Sequence, residues 1–441
     1  MKHVRLKKGY DIRLDGDVST KMEKDLKIPD LIAVKPIDFT ELKEKMLVSE
    51  GESVKIGTPL FYAKQNERIK FVSTVSGIVK EIRRGERRKV TAVIVENNKK
   101  CEREEITIDE TSRENIVESL CSSGLFPLFR QRPFHKIANP DDLPRDIFIS
   151  GFDTAPLATD QAFLIHENRT AFQYGINILK KLTNGKIYFG INDSTPSDIT
   201  GVENVKFTGP HPSGNVGVQI HHISPIKGRK DLVWTINVSG VIKIGLLFSE
   251  KKIPTVQIVK VAGTASQNSG YFKIICGSIL NTFCSANTNS ARFISGNPLT
   301  GTNEGFEGFL GFYDDLVSIL PEPKDASFLG WISPGFGKET KSRTLMTGFL
   351  GKSSKFDIPT AINGGQRAFI ASGIYEDVLP MDILPVYLMK SILAEDVEEM
   401  EALGIYEVAE EDIALCEFIC PSKIEWQEIL RNGLIYMEKE A

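Results

Sequence analysis

Between Phe126 and Lys136 the chain reads FPLFRQRPFHK, and Phe126, Phe129 and Phe134 interleave with Arg130, Arg132, His135 and Lys136. That mixture suits a flat ring lying against an aromatic wall, with donors placed for its carbonyl oxygens. Cations beside such a ring also favour the anion formed when its oxygens gain electrons. A quinone headgroup has this chemistry, so Arg132, His135 and Lys136 are candidate donors and Phe129 and Phe134 candidate stacking walls. A plainer reading stays open: a linker whose phenylalanines plug a domain junction while its cations face water.

Other constellations are incomplete. A dinucleotide site needs Gly-x-Gly-x-x-Gly between a strand and a helix, where the backbone can approach a pyrophosphate; nothing from Arg145 to Phe248 has it. Gly335-Phe336-Gly337-Lys338-Glu339-Thr340 follows Ser333-Pro334 and reads as a loop, and Gly351-Lys352-Ser353 has Met346 where a phosphate loop needs its first glycine. Cys416, Cys420 and Pro421 keep the last step of a cluster motif, but Ile413 and Glu410 stand at the earlier ligand positions, and two thiolates do not hold a cubane. Cys101, Cys121, Cys276 and Cys284 lie in unrelated segments. His221 and His222 are adjacent, so in a strand they point to opposite faces and cannot chelate one metal; with His211 they are expected to be structural. No metal site and no nucleophile motif is assigned.

The elements that must position these residues follow from composition and pattern. A chain of 441 residues exceeds one core and implies about three or four packed units. A formal charge of -4 argues against a nucleic-acid partner. Six scattered cysteines and a basic start without an apolar core imply a reducing compartment and no export signal. The run Val241 to Phe248, broken by Lys243 and Gly245, is far short of the ~20 residues that cross a bilayer, so membrane association is expected through a partner.

The expected class is multi-domain α/β. Residues 1–144 form an N-terminal region that includes, at about 42–97, short strands and turns similar to a biotinyl or lipoyl hammerhead. Its hairpin tip, Lys64-Gln65-Asn66-Glu67-Arg68, lacks the usual flanks of a carrier lysine, which favours a module reused for packing. Residues 145–254 alternate strands and helices as a Rossmann-like domain, 255–335 read as a β-grasp (SLBB-like) module, 336–379 connect, and 380–441 form a helical domain with Pro385 and Pro421 in first helical turns.

Several strings in this order resemble one family across essentially the whole chain: FVSTVSGIVKEIRRGERR, SGLFPLFRQRPFHKI, FTGPHPSGNVGVQIHHISP, RFISGNPLTG, LGWISPG, YEDVLPMDILP and EEDIALCEFICPSK. The family they resemble is that of the A subunits of sodium-translocating NADH:quinone reductases, itself similar to the C subunit of the Rnf complex and, more remotely, to the NADH-binding flavoprotein of respiratory complex I. The resemblance implies a peripheral subunit on the cytoplasmic face of the bacterial inner membrane. Its implied partners are a membrane B subunit, further membrane subunits, and an F subunit carrying flavin and iron–sulfur centres. It also implies that this chain binds no cofactor itself, with ubiquinone or menaquinone as the substrate nearby. The stretch Lys24 to Lys45, with Lys35-Pro36-Ile37-Asp38-Phe39, departs from the family pattern near the implied quinone region. Two roles then compete: direct quinone contact, or a cofactor-free scaffold that covers a quinone site held by the B subunit. An independent flavoprotein is the third.

Overall fold

The computed structural model describes residues 1–322, 334, 335, 339, 341, 346, 355–362, 364–370 and 372–440. Residues 323–333 of the expected β-grasp module, with them most of LGWISPG, and part of the expected connecting segment, including the Gly351-Lys352-Ser353 string, lie outside the described residues.

The first strands are β1 (Lys2–Arg5), β2 (Met22–Lys27), β3 (Leu31–Val34), β4 (Glu44–Met46), β5 (Ser53–Val54), β6 (Pro59–Ala63), β7 (Asn66–Val72), β8 (Gly77–Arg84) and β9 (Val90–Asn97). Two small sheets, β3-β9-β8-β5 and β4-β6-β7, sandwich a core that includes Val79, Val93 and Val95. Phe61 stacks on its cross-strand partner Phe71 at 4.6 Å, the kind of aromatic pair that stabilises adjacent strands. The β6–β7 tip is tied down: Gln65 donates to the Glu41 carbonyl at 3.0 Å, and Arg68 pairs with Asp141 at 2.7 Å. Those contacts fit a packing module better than a swinging carrier arm.

Helix α1 (Arg113–Ser122), capped by Ser112, leads into the α/β domain. That domain contains β10 (Arg130–Arg132), β11 (Lys136–Ile137), β12 (Ile147–Ser150), α2 (Gln161–Glu167), α3 (Arg169–Leu179), β13 (Ile187–Ile191), β14 (Glu203–Thr208), α4 (Val216–Ile223), β15 (Val233–Thr235) and α5 (Val238–Glu250). The sheet order is β1-β14-β13-β12-β15-β10-β11. Strands β1, β14, β13, β12 and β15 are parallel, and the β10–β11 hairpin adds antiparallel to β15. Ile147, Phe148 and Ile149 are all buried, as a parallel strand covered on both faces requires. On one face α3 and α5 cross closely, because a Cβ at Gly245 would stand 1.8 Å from the Ala171 carbonyl oxygen.

Strand pairing crosses the expected segment limits. β1, β10 and β11, drawn from residues 1–144, belong to the α/β sheet, and β2 edges a third one. The third sheet is mixed: β16 (Val256–Ala262), β17 (Gly270–Ile275), β18 (Ala291–Ser295), β19 (Thr302–Asn303) and β20 (Leu316–Pro321), in the order β19-β18-β20-β16-β17-β2.

At the end of the described chain α6 (Pro385–Leu393), α7 (Val397–Ala402), α8 (Glu410–Ile419) and α9 (Trp426–Glu440) pack around Leu388, Met389, Trp426, Leu430 and Leu434. Pro385 opens α6 as expected. Pro421 does not open a helix: it lies in the turn after α8, where Lys423 takes a left-handed φ of 52° before α9 begins at Trp426. No described helix is long and apolar enough to cross a membrane.

Candidate functional site

The segment singled out by composition is the β10–β11 hairpin with the turn before it. A 3-10 turn at Phe126–Leu128 delivers Phe129 into the core, where its ring centroid lies 5.2 Å from that of Trp234 on β15. The hairpin turn then places Phe134 in a different core cluster, edge-on to Tyr406 at 5.7 Å. Phe129 and Phe134 therefore lie on opposite faces of the sheet and do not form a common slot for one ring. Phe134 and His135 take left-handed φ values of 78° and 48°, which cost non-glycine residues of order 1–3 kcal/mol each. The surroundings hold them there: Arg431 of α9 donates to the Phe134 carbonyl at 2.8 Å.

The hairpin's cations do not face water. Helix α8 begins Glu410-Glu411-Asp412, acidic residues suited to a helix N-terminus. Arg132, wholly buried, meets Asp412 at 3.0 Å and Glu411 at 2.7 Å. His135 contacts Glu410 at 3.2 Å, Glu410 also pairs with Arg431, and Lys136 pairs with Glu438. Burial opposes the Arg132 charge, but Asp412 and Glu411 outweigh it and raise its pKa. Burial, helped by Arg130 and Arg132, pushes the His135 pKa down to about 4, so the imidazole is neutral at pH 7. Burial also opposes the Glu410 charge; hydrogen bonds from His135 and Arg431 hold that carboxyl below the usual range, and with His135 neutral the opposing charge is that of Arg431. Burial pushes the Asp412 carboxyl up to about 6 against the pull of Arg132.

The glycine-rich turn GPHPSGNVG between β14 and α4 completes this seam. A Cβ at Gly217, in the first turn of α4, would stand 2.1 Å from Asp412 Oδ2, so only glycine lets the carboxylate approach that helix end. Asn215, which begins α4, donates through its side chain to the Glu411 carbonyl at 2.7 Å. His211 lies in the same turn, its Nδ1 3.1 Å from Thr154 Oγ1, and burial pushes its pKa down to about 4. His221 and His222 sit on α4, not in a strand, so the opposite-face argument does not apply to them. His221 contacts Glu407 at 2.8 Å and His222 the Pro380 carbonyl at 2.8 Å, as structural histidines do. Cys416 and Cys420 are buried against Tyr375, whose hydroxyl lies 3.2 Å from the Cys420 sulfur. Among the described residues no group of three or more His, Cys, Asp or Glu could hold a metal ion.

A second grouping escapes sequence reasoning. A crevice where the sandwich, the α/β domain and the third sheet meet is lined by Lys35, Asp38, Phe71, Leu125, Lys243 and Phe312. Lys35 is 3.2 Å from Asp38 and 2.6 Å from Glu304, whereas Lys243, almost fully buried on α5, makes no ion pair among the described residues. Close by, the Asp315 carboxylate accepts from Gln161 of α2 at 3.1 Å and Ser239 of α5 at 3.5 Å. The available sequence signal is Lys243 itself, one charge inside the run Val241 to Phe248.

Family models match two stretches: residues 4–98 match an NqrA N-terminal barrel-sandwich hybrid domain and residues 111–253 an NqrA second alpha/beta domain. Relatives match from end to end. The A subunit of the Na(+)-translocating NADH-quinone reductase of Pasteurella multocida is 35% identical over 449 residues, covering 99% of this chain and 100% of the relative. Its counterpart in Serratia proteamaculans is 36% identical with the same coverage, and that of Rhodopirellula baltica 33% identical, covering 99% and 98%. A solved NAD+-reducing [NiFe]-hydrogenase aligns with 75% of this chain and 61% of its own, at 10% identity and a TM-score of 0.39, too distant to carry an argument. With relatives above 30% identity along its full length, the chain belongs to the A-subunit (NqrA) family of the Na(+)-translocating NADH-quinone reductase.

Proposed function

We propose that the chain is a peripheral subunit on the cytoplasmic face of the inner membrane that covers the quinone-reduction site next to the membrane B subunit. End-to-end similarity to proteins named as the A subunit of this reductase carries the reading. Any catalytic role is that of one subunit within the complex. The seam favours covering over contact by the β10–β11 hairpin, because Phe129, Arg132, Phe134 and His135 are buried and Arg132, His135 and Lys136 are engaged by α8 and α9. Where this chain reaches a ubiquinone or menaquinone headgroup directly, the crevice offers Lys243 as a cation and Phe71 and Phe312 as apolar walls, and its volume of about 60 Å³ requires it to open to admit the ring.

The same reading leaves flavin, NADH and iron–sulfur centres to partner subunits. Asp412 stands at the start of α4 and Asp315 beside the starts of α2 and α5, and carboxylates there oppose a pyrophosphate at helix ends that would otherwise attract one. A flavin or cluster absorption band in stoichiometric yield from the purified chain would overturn this part. For the covering role, the test is the complex prepared with and without this chain, with quinone reduction and NADH oxidation by an artificial acceptor measured separately. Loss of the first with retention of the second is expected; quinone reduction undiminished without the chain removes the proposal.

A further inference from the structure

The β8–β9 hairpin is absorbed by neither site. Its tip, residues 83–89, reads Arg-Arg-Gly-Glu-Arg-Arg-Lys, and every one of these residues is exposed. From 80 to 89 the strand and tip carry six cations, Lys80, Arg83, Arg84, Arg87, Arg88 and Lys89, against two carboxylates, Glu81 and Glu86, in a chain whose formal charge is -4. Arg83 pairs with Glu81 at 3.1 Å, and Arg84 donates to the Arg88 carbonyl at 3.2 Å. Lys80, Arg87, Arg88 and Lys89 make no ion pair among the described residues. Arg87 and Arg88 also hold left-handed φ values of 52° and 62°, a backbone better suited to glycine or asparagine, yet the turn presents arginine at both.

We propose that this hairpin docks the chain on an anionic lipid surface. Two observations favour lipid over an acidic protein. The tip from 83 to 89 has no apolar or aromatic residue, and specific protein interfaces need such an anchor at their centre. A lipid headgroup layer asks only for accumulated positive charge, and each basic residue near it adds to the attraction. The family supplies the setting, since its members belong to a sodium-translocating reductase while no described helix of this chain can cross a bilayer. The inference amends the expectation that membrane association goes through a partner alone. It rests on the proposed peripheral placement, but not on any role at quinone.

The test is co-sedimentation of the full chain with vesicles of phosphatidylcholine alone and of phosphatidylcholine with phosphatidylglycerol. Binding is expected for the anionic vesicles, with loss between about 50 mM and about 500 mM salt as the Debye length shrinks. The variant Arg87→Asn, Arg88→Asn, Lys89→Gln keeps residues that tolerate the turn and should weaken partitioning at least about tenfold. Lys227→Gln, Lys230→Gln, Lys252→Gln removes equal charge from exposed positions elsewhere and should leave partitioning nearly unchanged. Equal binding to neutral vesicles, or equal loss in both variants, overturns the proposal. So does failure of the chain to bind anionic vesicles while the hairpin variant dissociates from the detergent-solubilised complex, which would assign the hairpin to an acidic protein partner. None of these readings depends on quinone activity, so the covering role stands or falls separately.

Discussion

Arg132 and Asp412, separated by 280 positions in the chain, meet at 3.0 Å with side chains 1% and 0% exposed. The pair joins the edge hairpin of the α/β sheet to the first turn of α8, and the helical domain is thereby locked to the sheet through charge as well as apolar packing. Asp412 Oδ1 and Arg132 Nε have no hydrogen-bond partner, so the pair is imperfectly satisfied. Removing one member leaves an uncompensated buried charge, which costs about 3–5 kcal/mol, whereas replacing both members by apolar residues is often neutral. Arg132→Ala is therefore expected to lower the unfolding free energy by about that amount, and Arg132→Met with Glu411→Gln and Asp412→Leu, which leaves neither carboxylate without its cation, by far less. Urea titrations followed by tryptophan fluorescence compare them; equal losses would show that the charge pairing is not what the seam depends on.

Acid should remove the contribution of two histidines to the same seam. His135 and His211 have folded pKa values pushed down to about 4, so the unfolded chain, with ordinary histidines, binds more protons between pH ~6.5 and ~4. Their contribution is complete above pH ~6.5 and is lost as pH falls through the folded values, of order 3 kcal/mol for each. Asp412 acts oppositely: with a folded pKa raised to about 6, its contribution is present below the unfolded value and is lost as pH rises through 6. Burial pushes Asp38 and Asp153 up to about 6 as well, and they act in the same sense as Asp412, so the histidine contribution is read as the difference between the wild type and a histidine variant. Between pH ~6.5 and ~4 the unfolding free energy of His135→Asn should lose up to about 3 kcal/mol less on acidification than that of the wild type. An unchanged slope would mean that His135 is not neutral in the fold.

How closely α4 meets α8 can be probed at Gly217. A Cβ there overlaps the Asp412 carboxylate, and overpacking of this kind costs about 1–3 kcal/mol. Gly217→Ala should destabilise the chain within that range and make the helical domain more susceptible to limited proteolysis. A variant as resistant as the wild type would show that α8 can shift without loss.

Local pattern makes some of this legible. Ile147-Phe148-Ile149 reads as a buried parallel strand because apolar residues fill both faces, and α6 to α9 follow from helical periodicity and from Pro385. In VGVQIHHI the apolar residues alternate at Val216, Val218 and Ile220, and so short a run does not distinguish strand from helix; the segment is a helix. The hairpin does carry one further local signal: Phe129 and Phe134 are an odd number of residues apart, which in extended chain already sends them to opposite faces. Nothing local reveals that β1 and β2 leave the N-terminal module for two other sheets, since strand pairing between distant segments depends on the assembled core. The carboxylates that engage Arg132 are equally out of sight, being supplied by a helix at the far end of the chain.

Lys243 gives the clearest test of whether this chain touches quinone. Its side chain lies inside an otherwise apolar helix face, lines the crevice with Lys35 and Phe312, and makes no ion pair among the described residues. Its charge acts on the buried Asp315 carboxyl nearby, so Lys243→Met is paired with Asp315→Asn, which removes both charges and should keep the fold close to wild-type stability. If the charge faces a headgroup that becomes anionic on reduction, the same change should slow quinone reduction by about tenfold, the rate equivalent of ~1.4 kcal/mol of lost electrostatic stabilisation. NADH oxidation by an artificial acceptor, which bypasses quinone, should be untouched. Separate assays of the two activities in the assembled complex distinguish the outcomes. Loss of both marks failed assembly and excludes the expected stability of the variant; loss of quinone reduction alone supports direct contact at the crevice. Unchanged quinone kinetics in a stable variant would remove Lys243 from the quinone path and leave this chain as a cover over a site built by its partner.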